Sequence, residues 1–292
     1  MRERLGIVQF IHPGKEQTKI ARGFCRWNSA TRSDKAWPHR RKFFACNADY
    51  IARGRHEHGL VGFWGEWEAP SLARSIPARS DEDPHFVHLP ALSKPHSYDG
   101  LLDTDPFVFG ERFLYCGCQQ HTAHHHPDGA RETFLRRLLP GSLILFGSSV
   151  AGRFVQDTAF LTHDSRDYPN AEFATLKGFV PAPYYGVSLY TQAAGNLSCD
   201  SFRLYRGTTP ADGIGEAFSF TPCRPFAGVG FRRPTLDIPG VITPILTQGK
   251  KFTEADAAGV ITIWREVRRQ VEAQACALAY HVALAPKEVP HV

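Results

Sequence analysis

The stretch TEADAAGVITIWREVRRQVEAQACALAYHVALAP, Thr253 to Pro286, decides the fold class. Val260, Ile261, Trp264, Val267, Val271, Ala275, Leu278 and Val282 recur at steps of three and four, while Arg265, Arg268, Arg269, Glu272 and Gln274 take the other faces. That spacing is the mark of a helix with one apolar face. Thr253 with Asp256 three residues later resembles a capping box, and Pro286 lies just past the end. The pattern predicts one amphipathic packing helix over residues 253–285. The expected fold is therefore α+β, with a mixed or antiparallel β core and a long C-terminal helix.

Upstream, the chain reads mainly as strand and turn. Ile7 to Ile11 is a short apolar run before His12-Pro13-Gly14, which predicts a first strand ended by a turn. Leu60 to Glu68 is aromatic and β-branched with interposed glycines, a second strand. Arg74 to Gly100 holds Pro77, Pro84, Pro90 and Pro95 and reads as a long connection. Phe107 to Cys116 reads as a second aromatic strand. Arg131 to Leu139 reads as a short helix, stopped by Pro140-Gly141 before the buried strand Ser142 to Gly147 and its neighbour Phe154 to Leu161. Val187 to Gly249 is Gly- and Pro-rich strand material.

At 292 residues and 42% hydrophobic composition the chain can bury a substantial core. One large domain, 1–292, is expected, in five parts: a basic aromatic region 1–73, the Pro/His-rich loop 74–100, a helix-turn-strand segment 101–185, a strand-rich part 186–250 and the helix 253–285. No apolar run is long enough for a secretory segment or a membrane span. The seven cysteines are odd in number and scattered, which favours reduced thiols in a cytoplasmic protein.

Charge points to a partner class. Between Lys19 and Arg55 lie ten Lys/Arg against Asp34 and Asp49, and four of the five tryptophans (Trp27, Trp37, Trp64, Trp67) fall between 27 and 67. Cations interleaved with flat rings neutralise phosphates and stack on bases. Arg40, Arg41 and Lys42, running into Phe43-Phe44, are the expected phosphate-binding residues. Nucleic acid is the expected partner, DNA rather than RNA, with no membrane and no obligate protein partner. A solvated basic face in front of core aromatics is the alternative.

Three carboxylates sit in apolar or aromatic context: Asp105, Glu66 and Asp157. Cleavage of a base-to-sugar bond builds positive charge on the sugar, which a carboxylate stabilises, while the base is swung out between apolar walls. Alternation in a strand puts Trp64 and Glu66 on one face. Trp64, Phe107, Tyr115 and Gln119 are the expected base-binding residues. Each acid also has a bland reading as a strand cap or a partner of arginine.

A rival is metal chemistry. Cys116, Cys118, His121 and His124 concentrate zinc-type ligands within thirteen residues, although the single residue between the cysteines is unlike a zinc knuckle. The leading expectation needs no cofactor; zinc would turn it into a hydrolase or deaminase acting on nucleotides. Phosphate-cradling, His-Glu-x-x-His, dinucleotide-binding and nucleophile-elbow motifs are absent from the sequence.

Residues Arg131 to Pro169, with Leu138-Leu139-Pro140-Gly141-Ser142 leading into Leu143 to Ser149, resemble the central part of EVE-type domains of the PUA-like superfamily. The resemblance implies a small β-barrel segment with an aromatic cage that reads modified bases. Ser142 replaces the usual Asp. Thr104-Asp105-Pro106-Phe107 with Gly110 is similar to the water-activating motif of uracil-DNA glycosylases, which would make Asp105 the catalytic carboxylate and Phe107 the ring beside the base. That family's His-Pro-Ser motif is absent. The expected activity is that of a DNA glycosylase that extrudes a base, expected to be a modified one, and hydrolyses its N-glycosidic bond; a non-catalytic base reader is the alternative.

Overall fold

Runs of Val, Ile, Phe and Tyr broken by Gly and Pro favour short paired strands, and the chain is built mainly from these. The computed structural model describes residues 3–16, 41–67, 71–80, 83–90, 104–121, 131–190, 201–246 and 249–283. The first sheet comprises β1 (Gly6–Glu16), β6 (Leu114–Tyr115), β7 (Leu143–Val150), β8 (Arg153–Pro169), β9 (Ser201–Gly207), β11 (Thr235–Leu236) and β12 (Gly249–Glu254), ordered β12-β1-β7-β8-β9-β6 with β11 also on β8. The second comprises β2 (Arg41–Ala52), β3 (Arg55–Glu66), β4 (Ser71–Ser75), β5 (Phe86–Pro90), β10 (Thr221–Pro225) and β13 (Ala277–Val282). In it β13 pairs with both β10 and β2, so β2, β3, β10 and β13 close into a ring.

β8 serves two neighbours in turn. Its first part pairs with β7 and its last with β9. Ala159 also exchanges backbone hydrogen bonds of 2.8 Å with Phe220, just before β10, which stitches the two sheets together. Both buried apolar clusters draw on both sheets.

The α+β expectation is overturned at the C-terminus. The segment read as one helix is three elements: β12, a helix α2 (Ala257–Ala273) and β13. A shorter helical stretch, α1 (Ala182–Tyr184), runs on through Leu189. The N-cap of α2 is Asp256, which accepts from the Gly259 amide at 2.7 Å; Thr253 lies in β12. Val260, Trp264, Val267 and Val271 form its buried stripe, each aliphatic member contributing about 1.5–3 kcal/mol. The Trp264 indole donates to the Phe218 carbonyl at 2.8 Å.

The helix stops without a glycine. Ala275 takes φ 57°, its amide donates to the Glu272 carbonyl and the Cys276 amide to the Val271 carbonyl. This is the Schellman arrangement with Ala in the place usually held by Gly. Beyond it, the apolar residues at 278 and 282 satisfy a helical period but pair as a strand, because β10 and β2 offer open edges.

Other elements also differ from expectation. β1 runs through His12-Pro13-Gly14, where the register with β7 slips between Ile11 and Lys15. The segment expected as a long connection contains the paired strands β4 and β5. Only Leu114–Tyr115 of the second aromatic segment is strand, and the helix of 131–139 is one turn, Phe134–Arg137. No helix among the described residues is long and apolar enough to cross a membrane.

Replacing Ala275 with glycine removes the left-handed penalty at a small entropic cost. Ala275→Gly should raise stability by about 0.5–1 kcal/mol, read as a higher urea midpoint. A lower midpoint would contradict the cap.

Candidate nucleic-acid interface

In the β2–β3 register Arg41 lies directly opposite Glu66, and Phe43 opposite Trp64. Arg41 is fully buried. It pairs with Glu66 through one guanidinium nitrogen and donates from Nε to Asp157 at 2.7 Å. Asp157 is placed for this by a bulge: Phe146 pairs with Thr158 and Gly147 with Gln156, leaving Asp157 as the extra residue. The same carboxylate accepts from Arg233 at 3.0 Å, and Arg233 also donates to the Ser148 hydroxyl and lies 5.1 Å from the Trp64 ring. Burial works against the Arg41 charge, but Glu66 and Asp157 outweigh it and raise its pKa.

Two of the three expected catalytic acids thus meet, on either side of an arginine. Arg41 is not at the surface where a phosphate would sit. Lys42 is half-buried, and Arg40 lies outside the described residues. Trp64 is buried with its indole donating to the Phe231 carbonyl at 2.7 Å.

Asp105 stands elsewhere. It is fully buried, and its carboxylate accepts from the amides of Cys116 (3.0 Å) and Cys118 (3.1 Å) and from the Tyr184 hydroxyl (3.1 Å). It orders the turn Cys116-Gly117-Cys118, where Gly117 takes φ 89°. Phe107 packs on Tyr184 and Phe109, and Tyr115 stacks on Tyr205 at 5.8 Å while donating to the Cys118 carbonyl. These rings belong to a different core cluster from Trp64, so the expected walls do not face one another. Lys250 donates to the backbone carbonyl of Gln119 at 3.0 Å and to its side-chain oxygen at 3.3 Å; burial lowers the lysine's pKa.

Of the zinc-type ligands, Cys116 Sγ lies 2.7 Å from the Tyr168 hydroxyl and His121 packs edge-on against Phe202. His124 lies outside the described residues. Among the described residues no group of three or more His, Cys, Asp or Glu is arranged to hold a metal ion.

The surface carries two features that the residue patterns did not single out. Phe179 is 40% exposed, and the guanidinium carbons of Arg166 and Arg206 lie 5.2 and 5.1 Å from its ring centroid. Arg206 donates from Nε to Asp164 at 2.8 Å, whereas Arg166 and nearby Lys177 have no ion-pair partner among the described residues. The second feature is an open cavity of about 430 Å³ lined by His56, Glu111, Thr209, Pro210, Ala211, Tyr280 and His281. Polar contacts link the two: Asp164 to His163 (3.8 Å), His163 to Asp212 (3.9 Å), and the Thr209 amide donating to Asp212 (2.7 Å). A clue was present in His56-Glu57-His58, whose alternation puts both imidazoles on one face of a strand.

No protein-family model, curated protein or solved structure matches this chain.

Arg41→Met should cost about 3–5 kcal/mol, because Glu66 and Asp157 are left buried with one cation fewer. Urea denaturation measures this; a variant that keeps its stability and loses only nucleic-acid affinity would return Arg41 to phosphate binding.

Proposed function

We propose that this protein binds nucleic acid and seats an unpaired or extruded base on Phe179. The observation that carries this reading is the exposed Phe179 ring with two guanidinium groups about 5 Å from its centroid. A base stacks on an aromatic face whatever its identity, and arginines beside the ring add cation–π attraction and meet the flanking phosphates. Arg166 and Lys177 supply that charge without an acid to neutralise them. The resemblance of residues 131–169 to modified-base readers points the same way.

Base recognition is the part of the expected activity that this geometry favours. For hydrolysis of the N-glycosidic bond, Asp105 would need a lone pair facing water and sugar. Its oxygens instead accept from two amides and a phenol in a fully buried setting. A reader suits the site better than a glycosylase built on Asp105. Among the described residues Cys46, Cys223 and Cys276 are free thiols, in keeping with a reducing compartment such as the cytoplasm.

Fluorescence anisotropy with labelled single strands and with duplexes carrying an unpaired base tests the reading. Loss of one stacked base is worth about 1–3 kcal/mol, so Phe179→Ala should weaken binding roughly 5- to 150-fold, and Phe179→Trp should retain it. Arg166→Ala should weaken binding and flatten its salt dependence. Equal affinity in wild type and Phe179→Ala would remove the platform.

A further inference from the structure

The open cavity lined by His56, Tyr280 and His281 has its own chemistry. Across β3, β2 and β13, His58 pairs with Asp49 and Asp49 with His281, so the three side chains occupy one rung. Asp49 accepts from His58 Nδ1 with one oxygen and from His281 Nδ1 with the other, each at 2.7 Å. A carboxylate accepts only, so each of these nitrogens carries a proton, and the basic site left on the His281 ring is Nε2. Those hydrogen bonds, His58 first, hold the Asp49 carboxyl below its ordinary range against the effect of burial.

The bulge in β13 adds the second half. Ala279 pairs with Tyr50 and His281 with Asp49, so Tyr280 is the extra residue, and it lines the cavity next to His281. The Tyr280 hydroxyl lies 3.0 Å from His56 Nδ1, leaving His56 Nε2 available. Burial, with the charge of Asp49 behind it, raises the Tyr280 pKa and keeps it a phenol. The cavity therefore contains two imidazoles anchored by unlike partners, one on a carboxylate and one on a phenol. Arg53 and Arg55 are exposed at the turn leading into His56. Glu111 is the one anion of the lining among the described residues; it repels phosphate and accepts from base amines, which seats a phosphate on the histidine side.

We propose that this cavity is an acid–base site that cleaves the phosphodiester of RNA, with His281 as base and His56 as acid; the proposal rests on the nucleic-acid reading of the Phe179 platform. His281 Nε2 takes the proton of a ribose 2′-hydroxyl, and the 2′ oxygen bonds to the adjacent phosphorus. The bond from phosphorus to the 5′ oxygen breaks, and the His56 imidazolium protonates that leaving oxygen. One proton is taken and one returned, and the products are a 2′,3′-cyclic phosphate and a 5′-hydroxyl end. Asp49 and Tyr280 are positioning residues. The ribose supplies its own nucleophile, so a pair of imidazoles suffices for the step.

The experiment compares a short labelled RNA of mixed sequence with the same strand as DNA and as 2′-O-methyl RNA, in the presence of chelator. Cleavage of RNA alone to cyclic-phosphate ends is the expected result. His281→Gln and His56→Gln should each lower turnover by about 10²–10⁴-fold while Phe179-dependent binding of 2′-O-methyl RNA is still detected, since neither contributes to stacking. Asp49→Asn should lower kcat with KM unchanged. Phe179-dependent binding with RNA left intact would overturn the proposal and spare the platform. Cleavage that survives either Gln variant, needs a metal ion, or acts equally on DNA would also overturn it. Failure of every strand to bind would remove the platform and the cleavage site together.

Discussion

The buried guanidinium of Arg41 is the constraint around which the two sheets are arranged. It joins β2 and β3 of one sheet, through Glu66, to β8 of the other, through Asp157. Arg233 and Ser148 extend the network to the loop before β11 and to β7. A charge in a dry interior is tolerated only where it is paired, so the relative placement of these strands has little freedom. The bulge at Asp157 and the facing register of Arg41 and Glu66 are both geometric requirements of that pairing.

Held in this way, the strand ring brings distant residues to one surface. Asp49 and His58 sit near the β2–β3 turn, and His281 arrives from β13, 232 positions along the chain from Asp49. Ring closure, rather than any local motif, creates the histidine rung. Thr209 of the cavity lining is linked through Asp212 and His163 to Asp164, the partner of Arg206.

What could be read from residues alone follows the range of the interactions. Strands β7 and β8 were legible because apolar runs and the Pro140-Gly141 turn are local signals. The C-terminal helix was overextended because Ala275 ends it without the usual glycine, and because Leu278 and Val282 fit either period until β2 and β10 are in place. Glu66 and Asp157 were recognised as unusual acids, but their common partner Arg41 was read as a surface cation. Alternation within one strand cannot reveal a pairing across sheets. Asp105 carried a short motif whose meaning lies in the Cys116–Cys118 turn it organises. Phe179 and His281 gave no local signal, since exposure and cross-strand neighbours are products of the fold.

The closure of the ring by its last strand has a consequence for the order of events at the ribosome. β2 and β3 emerge early, yet the edge of β2 that takes Leu278 to Val282 stays open until those residues have been made. An incomplete nascent chain already has Phe179 and Asp49 but lacks His281. The strand whose arrival seals the exposed edge also delivers His281 to Asp49, so closure of the ring and assembly of the histidine–aspartate rung are a single step.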